Sequence, residues 1–133
     1  MKERSMLLVF PSIPILKRTN FEGYNIADSF SRRHGDVAVI VRNGLKCQRM
    51  HKIHKMSIEN HIELAAVHLV THKLLVMTVH RPPTTNFDTL APQLNRCLED
   101  ITESTCYKIC VAGDFNFDLL KQSHSREKLL KIF

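Results

Sequence analysis

The sequence predicts an α+β protein, a layered sheet with helix packed outside it, and three observations carry that reading. Several apolar segments have strand patterning, one long stretch has helical periodicity, and a further apolar strand follows that helix. "DVAVIVR" (36–42) sets Val37, Val39 and Val41 on one face and Ala38, Ile40 and Arg42 on the other, so at least one face is buried. "HIELAAVHLV" (61–70) and "KLLVMTVH" (73–80) are separated only by Thr71 and His72, which predicts an antiparallel pair. Arg81, Pro82 and Pro83 then end the strand, because proline cannot donate to a ladder.

From Asn86 to about Ser104, Phe87, Leu90, Leu94, Leu98 and Ile101 recur every three or four positions as one apolar stripe. Asn86 or Thr85 can cap this helix, and Asp88 suits the positive end of its dipole. "KICVAGD" (108–114) reads as a buried strand, "MLLVF" near the start as a short strand before a proline-bearing loop, and "SREKLLKIF" as weakly helical. The strands are expected to be antiparallel, which separates the protein from doubly wound folds.

At 133 residues the chain corresponds to one domain, spanning 1–133. Charged residues form 24% and apolar residues 44%, values that exclude a disordered chain. Nineteen Lys and Arg against thirteen acids leave a net charge of +6, which favours a polyanion such as DNA through non-specific attraction. Pro11 and Pro14 interrupt the early apolar run and no small-residue cleavage site follows, so an intracellular protein, nuclear or cytoplasmic and not secreted, is expected. That run is also too short to span a bilayer, so no membrane partner is expected, and no small-molecule cofactor is evident. Cys47, Cys97, Cys106 and Cys110 lack paired zinc-type spacing and read as free thiols, with Cys106 and Cys110 as small buried hydrophobes. "HKIHKM", with His51 and His54, reads as a solvated basic loop.

The chemistry concentrates in "VAGDFNFDLL" (111–120). A strand entering Gly113 delivers Asp114 at its C-terminal end, and Asn116 points the same way if the backbone stays extended. Phe115 and Phe117 then face apolar packing. A carboxylate can orient and deprotonate a water while a neighbouring amide donates to a phosphate oxygen, a pairing suited to phosphodiester hydrolysis. Taken alone, however, G-D-F-N favours an Asx-type turn, because Asp and Asn are both common turn formers.

The residues from 62 to 101, a following strand and "AGDFN" together resemble the endonuclease/exonuclease/phosphatase superfamily. More narrowly they resemble the apurinic-type endonuclease domain of non-LTR, LINE-like retrotransposons. The similarity spans about residues 22–120 and includes "DVAVIVRNGL", an "IE" segment, a strand ending in a pattern like Y-R-P-P, a helix and "GDFN" in order. It implies a two-layer β-sandwich flanked by helices, and a Mg2+- or Mn2+-dependent activity that cuts DNA. Asp114 would then be catalytic by positioning or activating the attacking water. Asn116 would hold the scissile phosphate, and His80 stands where the family has the phosphate-contacting tyrosine.

The chain also departs from that pattern. The family's metal-binding glutamate falls on an early strand before a "GY" pair, here Gly23–Tyr24, yet "LLVFPSIPIL" has no acid and Glu22 lies too close to the pair. Of the glycine-rich run before the valine strand only Gly35 is kept, and Asp118 and His124 do not have the spacing of the family's terminal aspartate–histidine pair. The resemblance therefore implies an incomplete sandwich, truncated at both ends, with weak metal binding, an unknown metal-ligand set and impaired catalysis. A basic remnant that associates with nucleic acid without cutting it, or a translated gene fragment without a selected function, is the alternative expectation.

Overall fold

The computed structural model describes residues 7–11, 22–32, 35–58, 61–104 and 108–133. Strands β1 (Leu7–Pro11), β2 (Tyr24–Arg32) and β3 (Gly35–Arg42) form an antiparallel sheet in the order β1-β3-β2. Strands β4 (Cys47–Arg49), β5 (Glu63–Leu69), β6 (Leu74–His80) and β7 (Lys108–Asp114) form a second sheet in that order. Helices α1 (His51–His54), α2 (Phe87–Ser104) and α3 (His124–Ile132) complete the described elements. The fold is thus α+β, with two small sheets and three helices.

Alternation along the strands decides the layers. Val37, Val39 and Val41 of β3 pack with Ala65, Val67 and Leu69 of β5 and Val76 of β6, so this apolar cluster lies between the sheets. The opposite faces of β5 and β6 carry Leu64, Ala66, Leu75, Met77 and Val79. These meet the α2 stripe of Phe87, Leu90, Leu94, Leu98 and Ile101, together with Ile53 of α1 and Leu129 of α3. Burying both faces of the second sheet removes its large aliphatic side chains from water, each worth about 1.5–3 kcal/mol relative to full exposure.

One polar side chain ties the sheets together. Asp28, beside a bulge in β2, has a side chain with no exposure, and its Oδ2 accepts the backbone N–H of Ala66 on β5 at 2.9 Å. The short β4 leaves the sheet after Arg49, and Met50 N donates to Ala66 O at 3.0 Å. Asp28 therefore satisfies a β5 amide beyond the end of β4. Its Oδ1 faces Arg49 Nε at 2.5 Å and His54 Nδ1 at 3.3 Å.

Several sequence expectations hold. The β5–β6 pair is antiparallel, with Glu63 opposite His80 and Leu69 opposite Leu74. The long helix runs over Phe87–Ser104, and Asn86 Oδ1 accepts the Asp88 N–H at 2.9 Å. Others are corrected. β7 runs parallel to β6, because α2 carries the chain back to the starting end of the sheet. β7 is an edge strand with Lys108 and Cys110 exposed, not a buried one, so Cys110 is an exposed thiol. Cys106 lies outside the described residues. Cys97 is buried, and desolvation, with Asp100 nearby, pushes its thiol up to about 11, which leaves it unreactive. "HKIHKM" is no plain loop: its first four residues form α1, anchored by the buried Ile53. The tail, expected to be weakly helical, forms α3, where Ser123 Oγ caps the Arg126 N–H at 3.2 Å.

Candidate active site

Three ionisable side chains stand in one row across the second sheet. Glu63 of β5 is the register partner of His80 on β6, and His80 is the register partner of Asp114 on β7. Register partners project from the same face of a sheet. Counting by twos along each strand places this row on the face of Ala65, Val67 and Val76, at the end of the layer between the sheets. Glu63 and His80 are buried, and His80 Nδ1 lies 2.7 Å from Glu63 Oε2. That bond uses Nδ1–H. The other ring nitrogen can then accept a proton in the neutral imidazole, or donate one in the imidazolium.

Each residue of Gly113–Asp114–Phe115–Asn116 has a separate local role. A Cβ at Gly113 would sit 2.3 Å from Val79 O, so only glycine lets β7 approach β6 this closely. Asp114 Oδ1 accepts the backbone N–H of Asn116 at 2.9 Å, closing an Asx-type turn. Phe115 packs edge-to-face on Phe87, with ring centroids 6.4 Å apart and planes at 82°, and Phe117 does the same at 5.1 Å and 76°. Asn116 has φ +53°, a left-handed conformation that asparagine tolerates better than most residues.

Of the two readings of 114–116 that the sequence offers, the Asx-type turn is found and the extended path is not. The chain turns at Asn116, and the turn follows from the Asp114 side chain capping it. The expected apolar packing of Phe115 and Phe117 is found against the α2 side of the second sheet.

Arg81 holds this turn in place. Its backbone N–H donates to Asp114 O at 2.9 Å, its Nε to Phe115 O at 2.5 Å and its Nη2 to Asn116 O at 2.9 Å. Nη1 donates to Thr85 O, and the guanidinium carbon lies 5.9 Å from the centre of the Phe117 ring. Asn116 Nδ2 donates back to Arg81 O at 2.5 Å. Burial pushes the guanidinium pKa down and the Asp114 charge pulls it up; an arginine remains charged under either influence. The same turn thus carries Asp114 and Asn116 on a scaffold of charge-assisted hydrogen bonds.

The structure brings Asp114, Asn116 and His80 to one end of the β6–β7 pair. It adds Glu63 and Arg81, which the sequence reading passed over. Glu63 sits inside an apolar run that reads as strand core, and Arg81 stands before two prolines that read only as a strand stop. Asp118 and His124 are exposed and belong elsewhere: Asp118 Oδ1 accepts the Leu120 N–H at 2.8 Å, and His124 Nε2 lies 3.6 Å from Asp88.

Among the described residues no group of three or more His, Cys, Asp or Glu side chains comes together to hold a metal ion. Glu63 is bound to His80, and Asp114 Oδ1 to a backbone amide. As placed, these two carboxylates do not present the converging oxygens that Mg2+ requires. Also among the described residues, no helix is long and apolar enough to cross a membrane. No family model, curated protein or solved structure matches the chain.

Proposed function

We propose that this chain is a nucleic-acid-associating domain of endonuclease/exonuclease/phosphatase type, akin to the DNA endonucleases of LINE-like elements, in which phosphodiester hydrolysis is strongly impaired. The observation that carries the reading is the row Glu63–His80–Asp114 at the end of the layer between two sheets, beside the Arg81-pinned turn that presents Asn116. In this reading Asp114 orients a water and Asn116 donates to a phosphate oxygen. His80 supplies the second phosphate contact when protonated, its ring held by Glu63.

Impairment follows from the engagement of the same groups. Asp114 and Asn116 are partners within a turn before any substrate arrives. Mg2+ or Mn2+ would find in Asp114 a carboxylate with one oxygen already bound in the turn and little else, so weak binding is expected. Groups that act as a catalytic unit lose nearly all their effect when one is missing. The net charge of +6 still favours DNA.

Duplex DNA binding measured across a salt series tests the association. The expected result is sequence-indifferent binding that weakens steeply from low to physiological salt, because counterion release drives it. Absence of binding at low salt would overturn the reading, and salt-independent binding would replace it with specific contacts.

A further inference from the structure

The net positive charge of this protein is not spread over its length. Between Asp36 and Glu59 there is no acid at all, while Arg42, Lys46, Arg49, Lys52 and Lys55 contribute five of the six net charges. The rest of the chain holds fourteen Lys and Arg against thirteen acids and is nearly balanced. All five basic residues are exposed, and the last four fall at every third position.

Arg42 ends β3 in the first sheet, and the fold lays the rest of this tract along one edge of the second sheet. Cys47 stands opposite Leu69 and Arg49 opposite Val67. Met50 N bonds Ala66 O at 3.0 Å, and Ser57 exchanges two hydrogen bonds with Leu64, at 2.9 and 3.0 Å. The tract therefore follows β5 from Leu69 to Leu64, one residue short of Glu63, where the ionisable row begins. At about 3.4 Å per residue that is about 17 Å, a length over which duplex DNA presents about five phosphates per strand.

Two of its side chains are held rather than free to sweep. The buried Asp28 carboxylate lies 2.5 Å from Arg49 Nε and 3.3 Å from His54 Nδ1, and Arg49 Nη2 lies 3.0–3.1 Å from the two ring nitrogens of His54. Acidic side chains also border the tract, since Asp100 and Glu103 of α2 share a groove with Lys52. Lys46 and Lys55 lie outside that groove and are the informative positions.

We infer that the β4–α1 edge is the surface on which a nucleic-acid backbone docks, leading it towards the strand ends that carry Glu63, His80 and Asp114. The inference rests on the proposed association with nucleic acid and assigns it a place. A phosphate backbone fits because it offers negative charge at regular, close intervals along the whole edge. A lipid surface fits less well, since Ile53, the one apolar residue of α1, is buried, and the exposed Ile58 at one end of the edge is a single apolar side chain rather than an insertable face.

The test compares two double substitutions that remove the same charge from the full chain. Lys46→Gln with Lys55→Gln alters the edge; Lys121→Gln with Lys131→Gln alters exposed positions on and before α3. Affinity for a 30-base-pair duplex is read by fluorescence anisotropy across a salt series. The edge pair should weaken binding about tenfold at low salt and lower the slope of log K against log salt by about 2, one phosphate contact per lysine. The α3 pair should leave the slope nearly unchanged.

Equal losses in both pairs, or none in the edge pair, would overturn the docking surface while leaving the association standing. Failure of the unaltered chain to bind DNA would overturn both. Binding of the unaltered chain to phosphatidylserine vesicles that is lost in the edge pair, without DNA binding, would reassign the edge to a lipid surface.

Discussion

Arg81 and Asn116 clasp each other: the Asn116 side-chain amide donates to Arg81 O at 2.5 Å, and Arg81 Nη2 donates to Asn116 O at 2.9 Å. This reciprocal pair joins the residue that follows β6 to the residue that turns the chain after β7. It fixes where Asp114 stands. Removing the guanidinium would leave the carbonyls of Thr85, Phe115 and Asn116 without their donor. Arg81→Ala is therefore expected to destabilise the fold by about 2–4 kcal/mol, from three lost charge-assisted bonds and the desolvation of their acceptors. Arg81→Lys should recover less than half, because a single ammonium cannot reach the same fork of acceptors. Urea unfolding of the two variants checks this, and full recovery by lysine would show that charge alone matters.

Gly113 answers for the close approach of two backbones. With Val79 O only 2.3 Å from where a Cβ would stand, and that oxygen part of a strand, alanine cannot be accommodated without moving β7 off β6. Gly113→Ala should destabilise by about 2 kcal/mol or more, and its amide exchange should rise along Leu74–His80 and Lys108–Asp114 together. Protection unchanged in both strands would contradict the packing described.

Thr78 offers a gain. Its hydroxyl is fully buried with no hydrogen-bond partner among the described residues, and its neighbours across the two strand pairs, Ala65 and Ala112, have only methyl side chains. Thr78→Val replaces the hydroxyl by a methyl of similar size in an apolar setting. The expected effect is stabilisation by about 1 kcal/mol, seen as a higher urea midpoint at unchanged slope. A loss of stability would mean that the hydroxyl has a partner.

Much of this fold is legible in the sequence, and the parts that are not have identifiable causes. β3, β5 and β6 are readable as nearly unbroken apolar runs of strand length, and α2 because its apolar residues keep one helical period. β2 hides because Asp28, Ser29 and Ser31 break its alternation, and the polar Asp28 is buried for an inter-sheet bond that no local pattern announces. β4 has three residues, all exposed, and α1 four, too few for either period to show.

The direction of β7 was available in principle, since a strand, a helix and a strand returning to the same sheet imply parallel pairing. At the site, Asp114 and Asn116 stand out by residue type. Their Asx-type turn is also open to a reader of residue types, but its anchoring is not, because Arg81 is 35 residues away from Asn116 in the chain. Glu63 is invisible for a similar reason: only the register of β5 against β6 sets it beside His80.

The measurement that bears most directly on impaired phosphodiester chemistry is the nicking of supercoiled plasmid in Mg2+ or Mn2+ by the unaltered chain and by Asp114→Ala. Asp114 is committed to the turn and no group of carboxylates gathers around it among the described residues. The account predicts no metal-dependent nicking above the Asp114→Ala level, and His80→Tyr should not restore it, since that change offers a phosphate contact and no metal ligand. Nicking that requires the metal and disappears with Asp114→Ala would contradict the account and make this chain a working nuclease.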